Sequence, residues 1–237
     1  MKISHCNNIM DFRRIARKKV PAPVFHYMDG AADDEWTYRR NTSAFDDYEL
    51  LPAQLSDVSN VSLKTTLFGE EIDWPVMISP TGASKLFHAT GEPAVIRAAE
   101  KFGMIYSLST LGTMTIEDVG ATCSVPKMYQ LYVFKDRGLT KDLIDRCKVA
   151  GFKALCLTVD TPVAGNRERD HVYGFATGKF RWRSVPSMLR HPGWMYHVLV
   201  GKDLEMVNLS ASVRPDQFAD MSLLEYFNSN LDRSLTW

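Results

Sequence analysis

From residue 74 onward the apolar positions fall into short dense runs at 75–79, 104–108, 127–133 and 154–159. Each run is brief and bounded by turn-forming residues, which predicts a buried strand. The mixed stretches between them, 92–102, 115–121 and 140–150, predict helices, and Gly103 and Gly151 stand where a helix C-terminus favours glycine. Strand and helix alternate at the spacing of parallel β/α units. Upstream, residues 8–28 carry a helical pattern with Ile9, Phe12, Ile15 and Ala16 on one side. Arg13, Arg14, Arg17, Lys18 and Lys19 fill the other side, which is expected to be a solvated face rather than a nucleic-acid surface. Pro21 and Pro23 interrupt that pattern, and residues 41–69 read as short strands and turns.

Two α/β architectures share this alternation, the open doubly wound sheet and the closed (β/α)8 barrel. A doubly wound dinucleotide fold needs a Gly-rich turn after its first strand. Here that turn is Pro80-Thr81-Gly82-Ala83-Ser84, without G-x-G-x-x-G. Every predicted strand instead runs into polar or special residues: Pro80-Thr81, Ser109-Thr110, Gln130 with Tyr132, and Thr158 with Asp160. A barrel builds its active-site face from such strand ends. The expectation is therefore a TIM (β/α)8 barrel of which the N-terminal segment and the first four units are present. It divides into a cap (1–70), barrel units (74–160) and a long loop or lid segment (161–237).

Composition narrows the function classes. The chain has 237 residues, 45% hydrophobic and 24% charged, with 28 basic residues balancing 28 acidic ones. That balance supplies no overall field for nucleic acid. Cys6, Cys123, Cys147 and Cys156 are scattered, which predicts reduced cysteines and no cysteine-held metal. The polar N-terminus lacks the apolar core of a signal peptide, and no stretch is long and apolar enough to span a bilayer. These features predict a cytoplasmic protein without a metal site.

The strand ends offer a chemistry. Ser109, Gln130 and Thr158 supply uncharged donors and acceptors, and Gly82 leaves its backbone unencumbered. Such a set suits the edge of a planar heterocycle. Tyr132 adds a phenol, and Asp160 a carboxylate able to orient a base or stabilise charge. One such residue would read as a strand cap; five at equivalent positions predict a site.

An ordered series of motifs then becomes specific. Val24-Phe25-His26-Tyr27 with Gly30-Ala31 and Trp36-Thr37 comes first, followed by Ile78-Ser79-Pro80-Thr81-Gly82 and Leu108-Ser109-Thr110. Gln130-Leu131-Tyr132-Val133, Lys135-Asp136-Arg137, Leu157-Thr158-Val159-Asp160-Thr161-Pro162 and Gly165-x-Arg167 complete it. The series resembles, in order and register from Ile3 to Trp237, the FMN-dependent α-hydroxy-acid dehydrogenase and oxidase family. His26-Tyr27-Met28-Asp29-Gly30, Arg39-Arg40-Asn41 and His191-Pro192-x-Trp194 resemble its L-lactate dehydrogenase branch.

The resemblance implies oxidation of an L-2-hydroxy acid, lactate in first preference, with two electrons passing to FMN. It assigns Pro80, Thr81 and Gly82 to the flavin N5 side and Ser109, Gln130 and Thr158 to polar contacts with the ring. Tyr27 would take the substrate carboxylate, Tyr132 would bond the substrate, Asp160 would pair with the base's imidazolium, and Arg167 would assist at the entrance. None of the histidines 5, 26, 88, 171, 191 and 197 lies in the family's base motif, and Ser234-Leu235-Thr236-Trp237 resembles the stretch before its flavin-binding lysine. The expectation is a truncated chain, inactive alone and prone to aggregate through open sheet edges. The parent would be a homo-oligomer that uses quinone or oxygen as electron acceptor; Gly82, where many oxidases carry alanine, favours an acceptor other than oxygen. Two readings from other classes stand beside it: a non-catalytic flavin-binding or interaction fragment, and a flavin-free barrel that binds a phosphorylated ligand.

Residues 174–202 hold Lys179, Arg181, Arg183, Arg190 and Lys202 among Phe175, Phe180, Trp182, Trp194 and Tyr196, with no acid. Basic and aromatic side chains together suit a membrane–water interface, and the resembling family includes membrane-associated dehydrogenases. A lid over the site fits the same composition. Both readings stand, the first placing the protein peripherally on the inner face of the cell membrane.

Overall fold

The structure, a computed structural model, describes residues 2–161, 163, 165–173, 182–200, 205–211, 227 and 229–236. Helices α1 (Ile9–Lys19), α2 (Ala22–Asp29) and α3 (Trp36–Ser43) come first, then a hairpin of β1 (Thr65–Leu67) and β2 (Glu70–Ile72). Next come α4 (Ser84–Phe87), α5 (Gly91–Lys101), β3 (Tyr106–Ser109), α6 (Ile116–Thr122), β4 (Lys127–Leu131), α7 (Arg137–Val149) and β5 (Ala154–Leu157). Then follow α8 (Glu168–Tyr173), α9 (Val185–Leu189), α10 (Pro192–Val200) and α11 (Val207–Ser210).

These elements form two compact units, one of residues 1–61 with 164–201 and one of residues 62–163 with 202–237. The stretch 161–237 thus contributes to both. In the second unit β3, β4 and β5 form a parallel sheet in that order, with Ser109 opposite Gln130 and Gln130 opposite Cys156. Alternate residues point to opposite faces, and β3 and β4 are covered on both. Tyr106, Leu108, Tyr129 and Leu131 pack with Ile96 and Ala99 of α5, Ile116 and Val119 of α6, and Leu139, Leu143 and Cys147 of α7. Ile105, Met128, Ala154 and Cys156 meet Leu67 and Ile72 of the hairpin. The helices end where glycines take positive φ, +59° at Gly103 and +74° at Gly151, as the sequence predicts.

The first predicted strand is a correction. Residues 75–79 contribute only a bridge, Met77 with Ile105, and one hydrogen bond from Ile78 N to Ile105 O of 3.0 Å. Pro75 brings no N–H to a ladder, and Val76 and Met77 are exposed. The fourth predicted strand exists as β5, but its burial alternates: Leu155 and Leu157 are exposed.

In the first unit the expected long helix is divided. Asn8 caps α1 by accepting from Asp11 N at 3.0 Å, and α1 stops at Val20 before Pro21. Pro23 sits in the first turn of α2, where its missing N–H is harmless. Residues 41–47, read as part of a run of short strands and turns, instead close α3 and form a 3-10 turn at Ala44–Asp47. The basic face is exposed, as expected, and two of its arginines also make ion pairs. Arg13 grips Asp29 with Nε and Nη2, the latter bond at 2.9 Å, and Arg14 pairs with Asp11 at 2.6 Å.

Candidate active site

At the C-terminal ends of β3, β4 and β5 the second unit holds a continuous polar row. Ser109 Oγ donates to Gln130 Oε1 at 3.1 Å, and Gln130 Nε2 donates to Thr158 Oγ1 at 2.6 Å. Thr110 N also donates to Gln130 Oε1 at 3.2 Å, which fixes that atom as the amide oxygen. Thr110 Oγ1 in turn donates to the Gln130 carbonyl at 2.6 Å. Ser109 and Gln130 are buried and Thr158 half-buried. After these bonds the amide keeps its second N–H, and the Thr158 hydroxyl keeps its proton. The row therefore offers uncharged donors from a preorganised base.

Beside the row lies the turn at 80–83. Ala83 N donates to Leu111 O at 2.8 Å, and Leu111 N to Ser109 Oγ at 3.1 Å, tying this turn to the end of β3. A Cβ at Gly82 would meet Leu111 Cβ at 3.0 Å and Ser109 Oγ at 3.6 Å. Glycine therefore lets this backbone lie against the polar row, with Pro80 half-buried and Thr81 exposed. An uncharged donor row beside a backbone stripped of side-chain bulk fits the edge of a flavin ring.

Tyr132 follows β4, half-buried and edge-on to Phe227 with ring centroids 4.9 Å apart. With Leu131, Thr158, Val159 and Leu231 it lines a cavity of about 640 Å³. Asp160 lies beyond β5 and is exposed, so its carboxyl group meets water. In this structure it carries no burial cost of the kind a desolvated carboxylate would.

The other two predicted site residues belong to the first unit and meet there. Arg167 sets its guanidinium over the Tyr27 ring, with Cζ 5.0 Å from the centroid, and donates Nη2–H to the Tyr27 carbonyl. Burial pushes the Tyr27 phenol above its ordinary range, and Arg167 partly opposes that shift. Asp170, 2% exposed, accepts from Arg167 Nε at 2.6 Å. Asp29 is held by Arg13 and by Arg169 Nη1 at 3.3 Å, while Arg169 Nη2 reaches Glu35 at 2.5 Å. Sequence reasoning missed this ionic framework, because its partners are far apart along the chain. His26 stacks on Tyr173 with centroids 4.2 Å apart, in keeping with a structural role. Among the described residues no cluster of His, Cys, Asp or Glu is arranged to hold a metal ion. Most of the basic–aromatic stretch, at 182–200, is described; residues 174–181 and 201–202 lie outside the described residues.

The chain is similar to several known proteins. An L-lactate dehydrogenase of Vibrio parahaemolyticus is 37% identical over 229 residues, 96% of this chain and 60% of the relative. One of Yersinia pestis is 38% identical with the same coverage. The chain thus spans about three-fifths of the length of these curated relatives. Among solved structures, the monotopic membrane protein (S)-mandelate dehydrogenase aligns with a TM-score of 0.89 at 29% identity, covering 98% of this chain and 62% of that one. A mandelate oxidase with (S)-2-phenylpropionate aligns at 0.68 and 32% identity, covering 70% and 50%. The parallel units are therefore part of a TIM barrel that the described residues do not close. With the family model for FMN-dependent dehydrogenases matching residues 16–237, the chain belongs to that FMN-dependent family of oxidoreductases.

Proposed function

We propose that this chain carries the flavin-edge and substrate-contacting part of an enzyme that oxidises an L-2-hydroxy acid, L-lactate in first preference, to the 2-oxo acid. The observation that carries the reading is the Gln130 hub, which bonds Ser109 and Thr158 side chains across three adjacent strand ends. Ser109, Gln130 and Thr158 would hold the polar edge of the FMN ring, with the backbone of Pro80, Thr81 and Gly82 alongside. When bound, FMN supplies the two-electron acceptor that no side chain provides. Tyr27 and Arg167 pair a phenol with a cation suited to a carboxylate, Tyr132 offers a hydroxyl to the substrate, and Asp160 offers a negative charge to a protonated base. None of the histidines at 5, 26, 88, 171, 191 and 197 falls within β3, β4 or β5 or in the residues that directly follow them. The chain by itself is therefore proposed to bind flavin without turning over. The test is the visible spectrum of the purified chain with FMN, followed by anaerobic L-lactate. A shifted flavin band that lactate does not bleach is expected; bleaching would show that this chain suffices for chemistry. An unperturbed band would remove the flavin-edge assignment.

We also propose peripheral membrane contact through residues 174–202, with a quinone in the membrane as electron acceptor and oxygen as the alternative. Within the described part, Trp182, Leu189, Tyr196, Leu199 and Val200 are exposed beside Arg183 and Arg190. Among the described residues no helix is long and apolar enough to cross a membrane, so the contact would lie in the interface. Flotation with vesicles should be strong with anionic lipid and weak with zwitterionic lipid, and Trp182→Ser with Leu189→Ser should reduce it several-fold. Equal recovery from both vesicle types, or none from either, would refute the contact.

A further inference from the structure

Glu92 has a consequence for the flavin edge that its place in the sequence conceals. It lies in the first turn of α5, where an acidic residue ordinarily sits in solvent and interacts favourably with the helix dipole. Here it is 1% exposed. Such burial is costly unless both oxygens find donors. They do: Thr113 N donates to Oε1 at 2.7 Å and Thr113 Oγ1 to Oε2 at 2.5 Å. Thr113 is itself 3% exposed and closes the turn that follows Ser109. That turn carries Thr110 N to Gln130 and Leu111 O to Ala83 N. One buried carboxyl group is thus bonded to the loop on which both walls of the polar row depend.

We propose that Glu92 is a positioning residue for the flavin edge: through Thr113 it sets the 109–113 turn, and through Leu111 it sets the backbone at 82–83. The assignment rests on the flavin-edge reading above, so its test must separate the two. Amide hydrogen exchange of the full chain measures the coupling without any ligand. Added riboflavin, which has the ring and no phosphate, reports its effect on the edge through the absorption band and fluorescence quenching.

In Glu92→Gln and in Thr113→Val, exchange at Leu111 and Ala83 should quicken on the order of tenfold, as expected when a buried hydrogen bond is lost. Amides within β4 and α7 should stay protected. The double variant should be no faster than either single one, and Thr113→Ser, which keeps the hydroxyl, should behave as wild type. Riboflavin half-saturation should rise by a similar factor in both single variants. Unchanged exchange at Ala83 and Leu111 in a folded Glu92→Gln chain would overturn the assignment. So would an even loss of protection across the second unit, which marks a purely structural residue. If riboflavin leaves the wild-type chain unperturbed, the flavin-edge reading falls while the exchange data still decide whether Glu92 sets the two turns.

Discussion

Gln130 is 5% exposed, and its side chain joins the ends of three strands. Gln130→Leu keeps the volume but strands Thr110 N and the hydroxyls of Ser109 and Thr158. A loss of about 1–3 kcal/mol is expected, from at least one unsatisfied buried donor. Urea unfolding checks this, and flavin titration should show weaker binding in the same variant. Asp29 gives a pH prediction in the first unit. Its bond to Arg13 holds the carboxyl below the ordinary aspartate value of about 3.9. A depressed folded pKa means the unfolded chain takes up the proton first, so this stabilisation is present above pH ~4 and is lost as pH falls through the lowered value. Asp29→Asn should be less stable than wild type at pH 6 and should converge with it toward pH 3; parallel urea midpoints at all pH values would contradict the assignment. The polar row was legible in the sequence because strand ends are readable and each carried a polar residue. The ionic framework was not, because Arg13 and Asp29 are 16 residues apart and Arg167 reaches the Tyr27 carbonyl across 140.

Among the elements, α5, α6, α7, β3, β4 and β5 follow the apolar pattern because each buries one face or both against its neighbours, so burial writes the period into the sequence. Helix α3 has no buried residue, and its sequence of Trp, Thr, Tyr, Arg, Asn and Ser carries no apolar stripe. The residues at 75–79 mislead in the opposite sense, since they look apolar enough for a strand yet make one bridge. Helix α7 shows what local chemistry adds to burial. Asp136 caps it, accepting from Gly138 N at 2.8 Å and Leu139 N at 3.2 Å. Asp136→Ala should cost about 1 kcal/mol, and Asp136→Asn should recover most of it. Thermal unfolding of the two variants distinguishes the cap from a general charge effect.

For the whole molecule, the decisive feature is the free side of the sheet. Among the described residues β5 pairs only with β4, and beside that edge Leu155, Leu157 and Val159 are 45%, 38% and 63% exposed. An apolar strand with an open edge is a template for pairing with another chain. Apolar patches of this kind drive association unless another surface covers them. The purified chain should therefore self-associate, with a weight-average mass that rises with concentration in sedimentation experiments. Val159→Lys with Leu157→Lys places two like charges on that edge, where they oppose a second copy without disturbing the buried residues of β3 and β4. The double variant should shift the chain toward monomer by at least several-fold in dissociation constant. Its far-ultraviolet dichroism should be unchanged, since both side chains already face solvent. If the wild-type chain stays monomeric at all concentrations, the edge is covered in solution. Association that persists in the lysine variant would instead place the contact elsewhere, with the exposed apolar side chains of α10 the next surface to change.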